Sequence, residues 1–387
     1  LYGHPQAGMM WQTHMEHRIF ALGFARIEGW PSAYHHAETG CAFIVYVDDF
    51  VMIGPSKKLR ALIQRVNKVI EMEEPTSLSK YLGCKHKSSV SYQGKVRTTE
   101  TMFDMSEYLT TACDLYEVAS GRKCGKADSP YAPELPLQQM LELCADVGDL
   151  QPHAASLLMK LLYAARMSRP DLCTAITRLA SRISRWDKDC DRRTHRLYDY
   201  VRTSTKTRLK GCLSTSDFEA LVIHAWPDAD QNGDAMSSKS TSGRFVEFHG
   251  KGSVNTFPTC WSACKQTATC SSTCEAETVP LSDCMKKDAI PMSLLLGRPI
   301  DVIAHEDNAA CIIAVQKGYS PALRALPRTQ RCAIGTLHEI FHEHEQGSNE
   351  GKYLLVKEPT ETHKGDIFTK GLQPHKFKVA VTMLKMG

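Results

Sequence analysis

Residues 41–54 read CAFIVYVDDFVMIG, an apolar run with two adjacent aspartates at its centre. Few features restrict a fold so tightly. Phe43, Ile44, Val45, Tyr46 and Val47 have the β-branched and aromatic content of a strand, and Val51, Met52 and Ile53 have that of a second. Adjacent carboxylates repel, and burying them unpaired costs several kcal/mol. A tight turn with Asp48 and Asp49 at its tip avoids that cost. A hard cation such as magnesium, held by both carboxylates, avoids it too. The two arrangements are compatible.

Around this hairpin the chain alternates helical and strand periods, which predicts an α/β (α+β) fold. Trp11, Met15, Ile19 and Leu22 recur at helical spacing before it. SKKLRALIQRVNKVIEME follows as an amphipathic helix with Leu59, Leu62, Ile63, Val66 and Ile70 on one face. SLSKYLGCKHKSSV and GKVRTTETMF read as strands, and MSEYLTTACDLY as a helix. SGRKCGKADSPYAPEL has the composition of a linker. Helices are expected over 152–167, 171–186 and 191–202, the first two parted at Arg169-Pro170. From Ala220 the pattern turns to strands, ALVIHAW, GRFVEFHG and VNTFPTCWSA, then a helix, the strand IDVIAHED and further helices. A length of 387 residues accommodates two or three domains, and these breaks suggest 1–120, 121–215 and 220–387.

The net charge of +4 says little, but its distribution says more: Arg166 to Lys210 holds 13 Lys/Arg against 5 Asp. Arg178, Arg182, Arg185 and Arg192 are therefore candidate phosphate contacts, since guanidinium grips phosphate oxygens in pairs. The plain alternative is a solvated face with Asp187, Asp189 and Asp191 as local partners. No run approaches the roughly 18 apolar residues of a membrane helix, and no stretch of these residues reads as a secretory signal. The start at Leu1, inside a patterned segment, suggests a piece of a longer protein. Most of the 15 cysteines sit beside apolar residues and read as small hydrophobes. Cys260, Cys264, Cys270 and Cys274 form the one regular cluster. Zinc could use four thiols, but this segment already reads as strand, turn and helix start.

Four acids stand out in the second half. Asp228 and Asp307 end strands, Glu277 lies at a helix start, and Asp366 is expected early in a last helix. Carboxylates at strand ends and helix starts of one layer can converge and hold two magnesium ions, which clamp both oxygens of a phosphodiester displacement. They can equally be ordinary caps. A competing motif is His338-Glu339-Ile340-Phe341-His342, the H-E-x-x-H of zinc peptidases, with Glu339 as base. His344 is a poor third ligand, being two residues from His342 on a helix.

The ordered set of segments resembles the reverse transcriptase and ribonuclease H of copia-type LTR retrotransposon Pol polyproteins. LYGHPQAGMMW resembles that family's LYGLKQAPRAW, YVDD its polymerase motif, and KYLGCKH its primer-grip strand. LLYAARMSRPDL, SKSTSGRFVEFHGKG, CSSTCEAE, HEDNAACIIA and PTETHKGDIFTKGL follow in the family's order. The resemblance implies a partial polymerase palm, a helical thumb and connection, and a ribonuclease H-like α/β domain. It implies that Asp48 and Asp49 hold catalytic Mg2+ or Mn2+ at a hairpin tip. Gln6 and Ala7 would lie near the incoming deoxynucleotide and the template, and Tyr81, Leu82 and Gly83 near the primer end. Asp228, Glu277, Asp307 and Asp366 would be the metal carboxylates that cut RNA in an RNA–DNA hybrid. Implied partners are an RNA template, a DNA primer and the hybrid, and the implied location is the cytoplasm, a virus-like particle or the nucleus.

The chain departs from the family at several places. The family's first catalytic aspartate lies upstream of LYG, so the polymerase site is incomplete in these residues. Gln231 and Thr278 replace a Trp and a Tyr, Cys274 is inserted, and Pro280 and Pro291 fall inside a family helix. Pro280 is expected to displace Glu277, because proline lacks an N–H and crowds the carbonyl four residues back. Three functions follow: a retrotransposon polymerase and ribonuclease H fragment, a decayed copy that only binds nucleic acid, or a zinc metallopeptidase.

Overall fold

The computed structural model describes residues 3–233, 238–342 and 351–387. These form two compact units, one running to Ser79 and taking in Ile290–Pro299, the other Lys80–Ala289 with Ile300–Gly387. Both combine helices and open sheets, so the fold class is α/β.

The first unit begins with α1 (Ala7–Phe20). Then come β1 (Phe24–Ile27), β2 (Trp30–His36), β3 (Cys41–Tyr46), β4 (Asp49–Ile53) and α2 (Ser56–Asn67). The four strands form one antiparallel sheet in chain order. Cys41, Phe43 and Val45 alternate inward along β3, as a strand with one buried face requires. They pack with Met15 and Ile19 of α1 and Leu62 and Val66 of α2. Full burial of such side chains stabilises by about 1.5–3 kcal/mol each. Glu16 is buried in this unit, and Arg26 Nε (2.8 Å) and the Tyr34 hydroxyl (2.8 Å) donate to it. Strands β1 and β2 have no clean sequence signal, because Pro31 sits inside β2 and argues against a strand.

The second unit opens with β5 (Lys80–Tyr81), β6 (Cys84–Gln93) and β7 (Val96–Asp104). Helices α3 (Ser106–Ser120), α4 (Leu137–Ala145), α5 (Ala154–Met167), α6 (Cys173–Ala180) and α7 (Lys188–Thr203) follow. β8 (Leu209–Ser214) returns to β7, closing a four-stranded antiparallel sheet, and α8 (Thr215–Glu219) comes next. The expected 171–186 helix is broken. Only Cys173–Ala180 is α-helical, with single 3-10 turns at Pro170–Leu172 and Ile183–Arg185.

The rest of the unit is built on β9 (Leu221–Asp230), β10 (Thr241–Gly250), β11 (Thr256–Lys265) and α9 (Thr273–Cys284). The chain then gives α10 (Ile290–Leu294) to the first unit. It resumes as β12 (Asp301–Glu306), α11 (Ala309–Lys317), α12 (Leu326–Thr329), α13 (Ile334–His342), β13 (Tyr353–Lys357) and α14 (Pro374–Met383). The five strands run in the order β11-β10-β9-β12-β13. β9 is antiparallel to β10 and parallel to β12, which is parallel to β13. One continuous core joins this sheet, through Trp226, Phe245 and Phe368, to Leu158, Ile176 and Tyr198 of the helices. No helix among the described residues is long and apolar enough to cross a membrane.

Candidate metal centre

Parallel pairing puts the carboxyl ends of β9 and β12 side by side. Asp228 lies near the carboxyl end of β9, and Asp307 follows β12 directly. Helix α9 packs on β9, and its start is set by Ser272, whose hydroxyl accepts from Glu275 N at 3.1 Å. That start turns Glu277 toward the strand ends. Asp228, Glu277 and Asp307 each offer a carboxylate oxygen, all within 4.8 Å of one another. Asp366 joins from the other side: Asp228, His363 and Asp366 form a second such group. Asp366 lies in a 3-10 turn, Asp366–Phe368, rather than in the last helix as expected.

Asp228 is 1% exposed and Glu277 3%. Asp228 Oδ1 and Glu277 Oε2 are buried without a hydrogen-bond partner. Burial, with Asp366 beside it, pushes the Asp228 carboxyl up to about 6. Burial, together with Asp228, Glu306 and Asp307, drives Glu277 well above the usual carboxylate range. Carboxylates gathered at this density fit a divalent cation, whose hard charge suits oxygen donors. The donor set therefore suits magnesium or manganese rather than a thiolate-seeking metal.

Neighbouring groups shape the cluster. The Thr369 hydroxyl donates to Asp228 Oδ2, and the Thr360 hydroxyl donates to Asp307 Oδ2 at 2.9 Å. Gly365 is required where it stands, since a Cβ there would meet Asp228 Cβ at 2.6 Å and His363 Cε1 at 2.8 Å. Lys370 Nζ pairs with Asp366 and lies 3.6 Å from Asp228 Oδ1. Sequence reasoning missed His363, Thr369, Lys370 and Glu306. Glu306 is fully buried with an unpartnered Oε2 and raised well above the carboxylate range by burial. A signal for it existed: Val302, Ala304 and Glu306 alternate inward along β12.

Pro280 does not displace Glu277. Helix α9 runs unbroken through Pro280 to Cys284. Gln266 Nε2 donates to the Ala276 carbonyl at 2.9 Å and takes the place of the N–H that proline lacks. A π-helical segment, Met285–Ala289, follows before Pro291, whose carbonyl accepts from Trp30 Nε1 at 2.7 Å. Gln231 accepts from the Thr273 hydroxyl at 2.6 Å, and Thr278 bonds the Cys274 carbonyl at 2.7 Å.

The other candidates are dispersed. Asp48 and Asp49 are exposed at the β3–β4 hairpin, where Tyr46 pairs with Asp49. The loop is Val47-Asp48, with a positive φ of 57° at Val47, a strained setting for a β-branched residue. Trp11 Nε1 donates to the Val47 carbonyl at 2.9 Å and holds it there. Gln6 is exposed and Ala7 starts α1. Tyr81, Leu82 and Gly83 make the β5–β6 turn, with φ of 47° at Leu82 and 77° at Gly83. Among the basic residues, Arg182 pairs with Asp187 and Asp189, and Arg192 with Asp189 at 2.8 Å. Arg178 donates to the Thr369 carbonyl at 3.1 Å, and Arg185 is exposed.

His338 and His342 each engage a backbone carbonyl through Nδ1, those of Val315 (2.9 Å) and His338 (3.1 Å). No third ligand joins them among the described residues, and His344 lies outside those residues. Cys260, Cys264, Cys270 and Cys274 form no three-ligand group among the described residues either. Cys270 Sγ instead donates to the side-chain Oε1 of Gln266 at 2.9 Å.

Comparison with known proteins gives a consistent direction. The transposon Ty5-1 protein of Saccharomyces cerevisiae is 26% identical over 184 residues, 46% of this chain and 55% of that protein. The retrovirus-related Pol polyprotein from transposon TNT 1-94 of Nicotiana tabacum is 23% identical over 297 residues, 74% of this chain and 21% of that protein. The chain is similar to retrotransposon Pol proteins. It spans about half the length of the first relative and a fifth of the second. No protein-family model matches it. No solved structure matches it.

Proposed function

We propose that the chain is a fragment of a retrotransposon Pol polyprotein whose residues 220–387 hydrolyse the RNA strand of RNA–DNA hybrids. The observation that carries this reading is the meeting of Asp228, Glu277 and Asp307 within 4.8 Å, with buried unpartnered oxygens on two of them. Magnesium or manganese held by these three and Asp366 would supply charge neutralisation and an activated water for phosphodiester hydrolysis. The chain's own residues hold the donors in place: Thr369 fixes Asp228, Thr360 fixes Asp307, and Gln266 keeps the helix of Glu277 intact. An RNA strand would be told from DNA through its 2′-hydroxyls.

In the same reading, residues 1–120 are a partial reverse transcriptase palm and 121–215 its thumb and connection. Asp48 and Asp49 serve metal-dependent nucleotide addition, Gln6 and Ala7 the incoming deoxynucleotide and RNA template, and Tyr81, Leu82 and Gly83 the DNA primer. The exposed tip and the strained Val47 support a functional role for that hairpin. The test is a labelled RNA–DNA hybrid incubated with the purified chain and magnesium. Cleavage is expected, and Asp307→Asn should abolish it. Equal cleavage by Asp307→Asn would overturn the reading.

A binding protein without hydrolysis is the second reading. It is favoured by a groove of about 580 Å³ whose lining includes Arg182, Arg185, Lys239 and Lys265 against the two acids Asp146 and Asp187. Salt-sensitive binding of the hybrid with no cleavage in magnesium or manganese would select it.

A further inference from the structure

The two donor groups of the cluster share Asp228 but differ in what already occupies them. On one side stand Glu277 and Asp307, and on the other His363 and Asp366. The second side contains its own cation. Lys370 Nζ is paired with Asp366 Oδ1 and lies 3.6 Å from Asp228 Oδ1. His363 is spoken for at both ring nitrogens: Nε2 lies 3.0 Å from the His305 carbonyl, and Gly365 N donates to Nδ1 at 3.3 Å. Its lone pair is thus turned to the backbone, and only two carboxylates remain there for a metal. The first side differs. Among the described residues no lysine or arginine ion-pairs with Glu277 or Asp307, and Lys357 Nζ reaches only the Asp307 main-chain carbonyl at 2.5 Å.

We propose that Lys370 is the resident cation of the Asp228–Asp366 half of the cluster. The chain then takes one divalent ion at Asp228, Glu277 and Asp307, and a second only when the ammonium withdraws. An ammonium and a divalent ion on the same two carboxylates repel, so the two compete for one place. Withdrawal is open to the side chain, which is 37% exposed at its place on a flexible stem. Burial acts to neutralise Lys370, but the Asp228 and Asp366 carboxylates outweigh it and hold the ammonium charged. Lys370 is thereby a positioning residue that sets how many ions the site admits. The inference rests on the hydrolase reading above.

The experiment counts bound manganese on the full chain by calorimetry and by electron paramagnetic resonance, which needs no activity. The parent should bind one ion tightly. Lys370→Met and Lys370→Gln should each bind two, with the second ion tightened roughly tenfold or more. Lys370→Arg, which keeps a cation, should return to one. Two equal ions in the parent, or one in both neutral variants, overturn the role of Lys370 while leaving the carboxylate site standing. No manganese bound by the parent or by any variant overturns the metal reading and this inference together.

Discussion

Gln266 donates a hydrogen bond at 2.9 Å to the carbonyl of Ala276, the one that Pro280 leaves without a helical partner. A side chain from the end of β11 thus repairs a helix ten residues further along. Gln266 is only 5% exposed, and its second amide contact, to the Ser242 hydroxyl at 3.0 Å, locks its orientation. Gln266→Ala leaves a buried carbonyl unsatisfied, so it should destabilise by about 1–3 kcal/mol. In a Pro280→Ala background the new N–H takes over, and the same change should cost less. Urea denaturation of the four proteins measures the coupling, and additive losses would show that the amide does not compensate for the proline. Pro280→Ala alone should leave hydrolysis within a few-fold of the parent.

Arg169 and Asp171 are both fully buried, joined through Nε (2.9 Å) and Nη2 (2.7 Å), and Tyr200 donates to Asp171 at 2.7 Å. Removing one member strands the other charge. Arg169→Met should therefore destabilise by about 3–5 kcal/mol, and Arg169→Met with Asp171→Leu by less than that. A double variant as unstable as the single one would mean that packing, not charge, sets the cost.

His224 lies between His249 of β10 and His305 of β12, with ring centroids at 4.0 and 5.0 Å. Glu247 and Lys364 are the other charged groups facing it. Burial, then His249 and His305, lower its pKa from 6.5 to about 3. The unfolded chain therefore takes a proton that the folded chain refuses, and stability falls as pH drops from about 6.5 toward 3. The slope from this group is at most about 1.4 kcal/mol per pH unit. Urea midpoints measured at about pH 7 and about pH 5 should fall for the parent and fall less for His224→Leu. An identical drop in both would place the effect elsewhere.

Arg185 and Arg192 should part company in binding. Arg185 is exposed and pairs with no carboxylate among the described residues, whereas Arg192 is tied to Asp189 and to the Pro133 carbonyl at 2.8 Å. If Arg185 meets a phosphate of the hybrid, Arg185→Gln should reduce the slope of log affinity against log salt by roughly one. Arg192→Gln should leave that slope unchanged and lower stability instead. Fluorescence anisotropy across a salt series decides it, and a slope moved by Arg192→Gln but not by Arg185→Gln would reverse the assignment.

Local periodicity carried much of the fold. The β3–β4 hairpin, α2, β9 and β12 could all be read, because one buried face leaves a period of two or 3.6 in the residues. Elements without such a face escaped. Pro31 hid β2, α4 buries no residue at all, and the broken segment 171–186 kept a helical pattern through two 3-10 turns. The four acids of the candidate centre stood out because carboxylates at strand ends and helix starts are conspicuous. The partners of the basic helices were not legible: Arg182 and Arg192 look alike in one dimension, and only the fold brings the nearly inaccessible Asp189 against both.

What the amino-acid order determined by itself was therefore local: the periods, the turns, and which strand ends carry acids. Tertiary structure decided the rest. It brought Gln266 to the carbonyl freed by Pro280, set Lys370 against Asp228 and Asp366, and buried Glu306 completely. Each of these depends on how the sheet pairs and what packs on it. Such meetings leave no repeating mark along the chain, because polar partners are selected by distance in space and not by spacing in sequence.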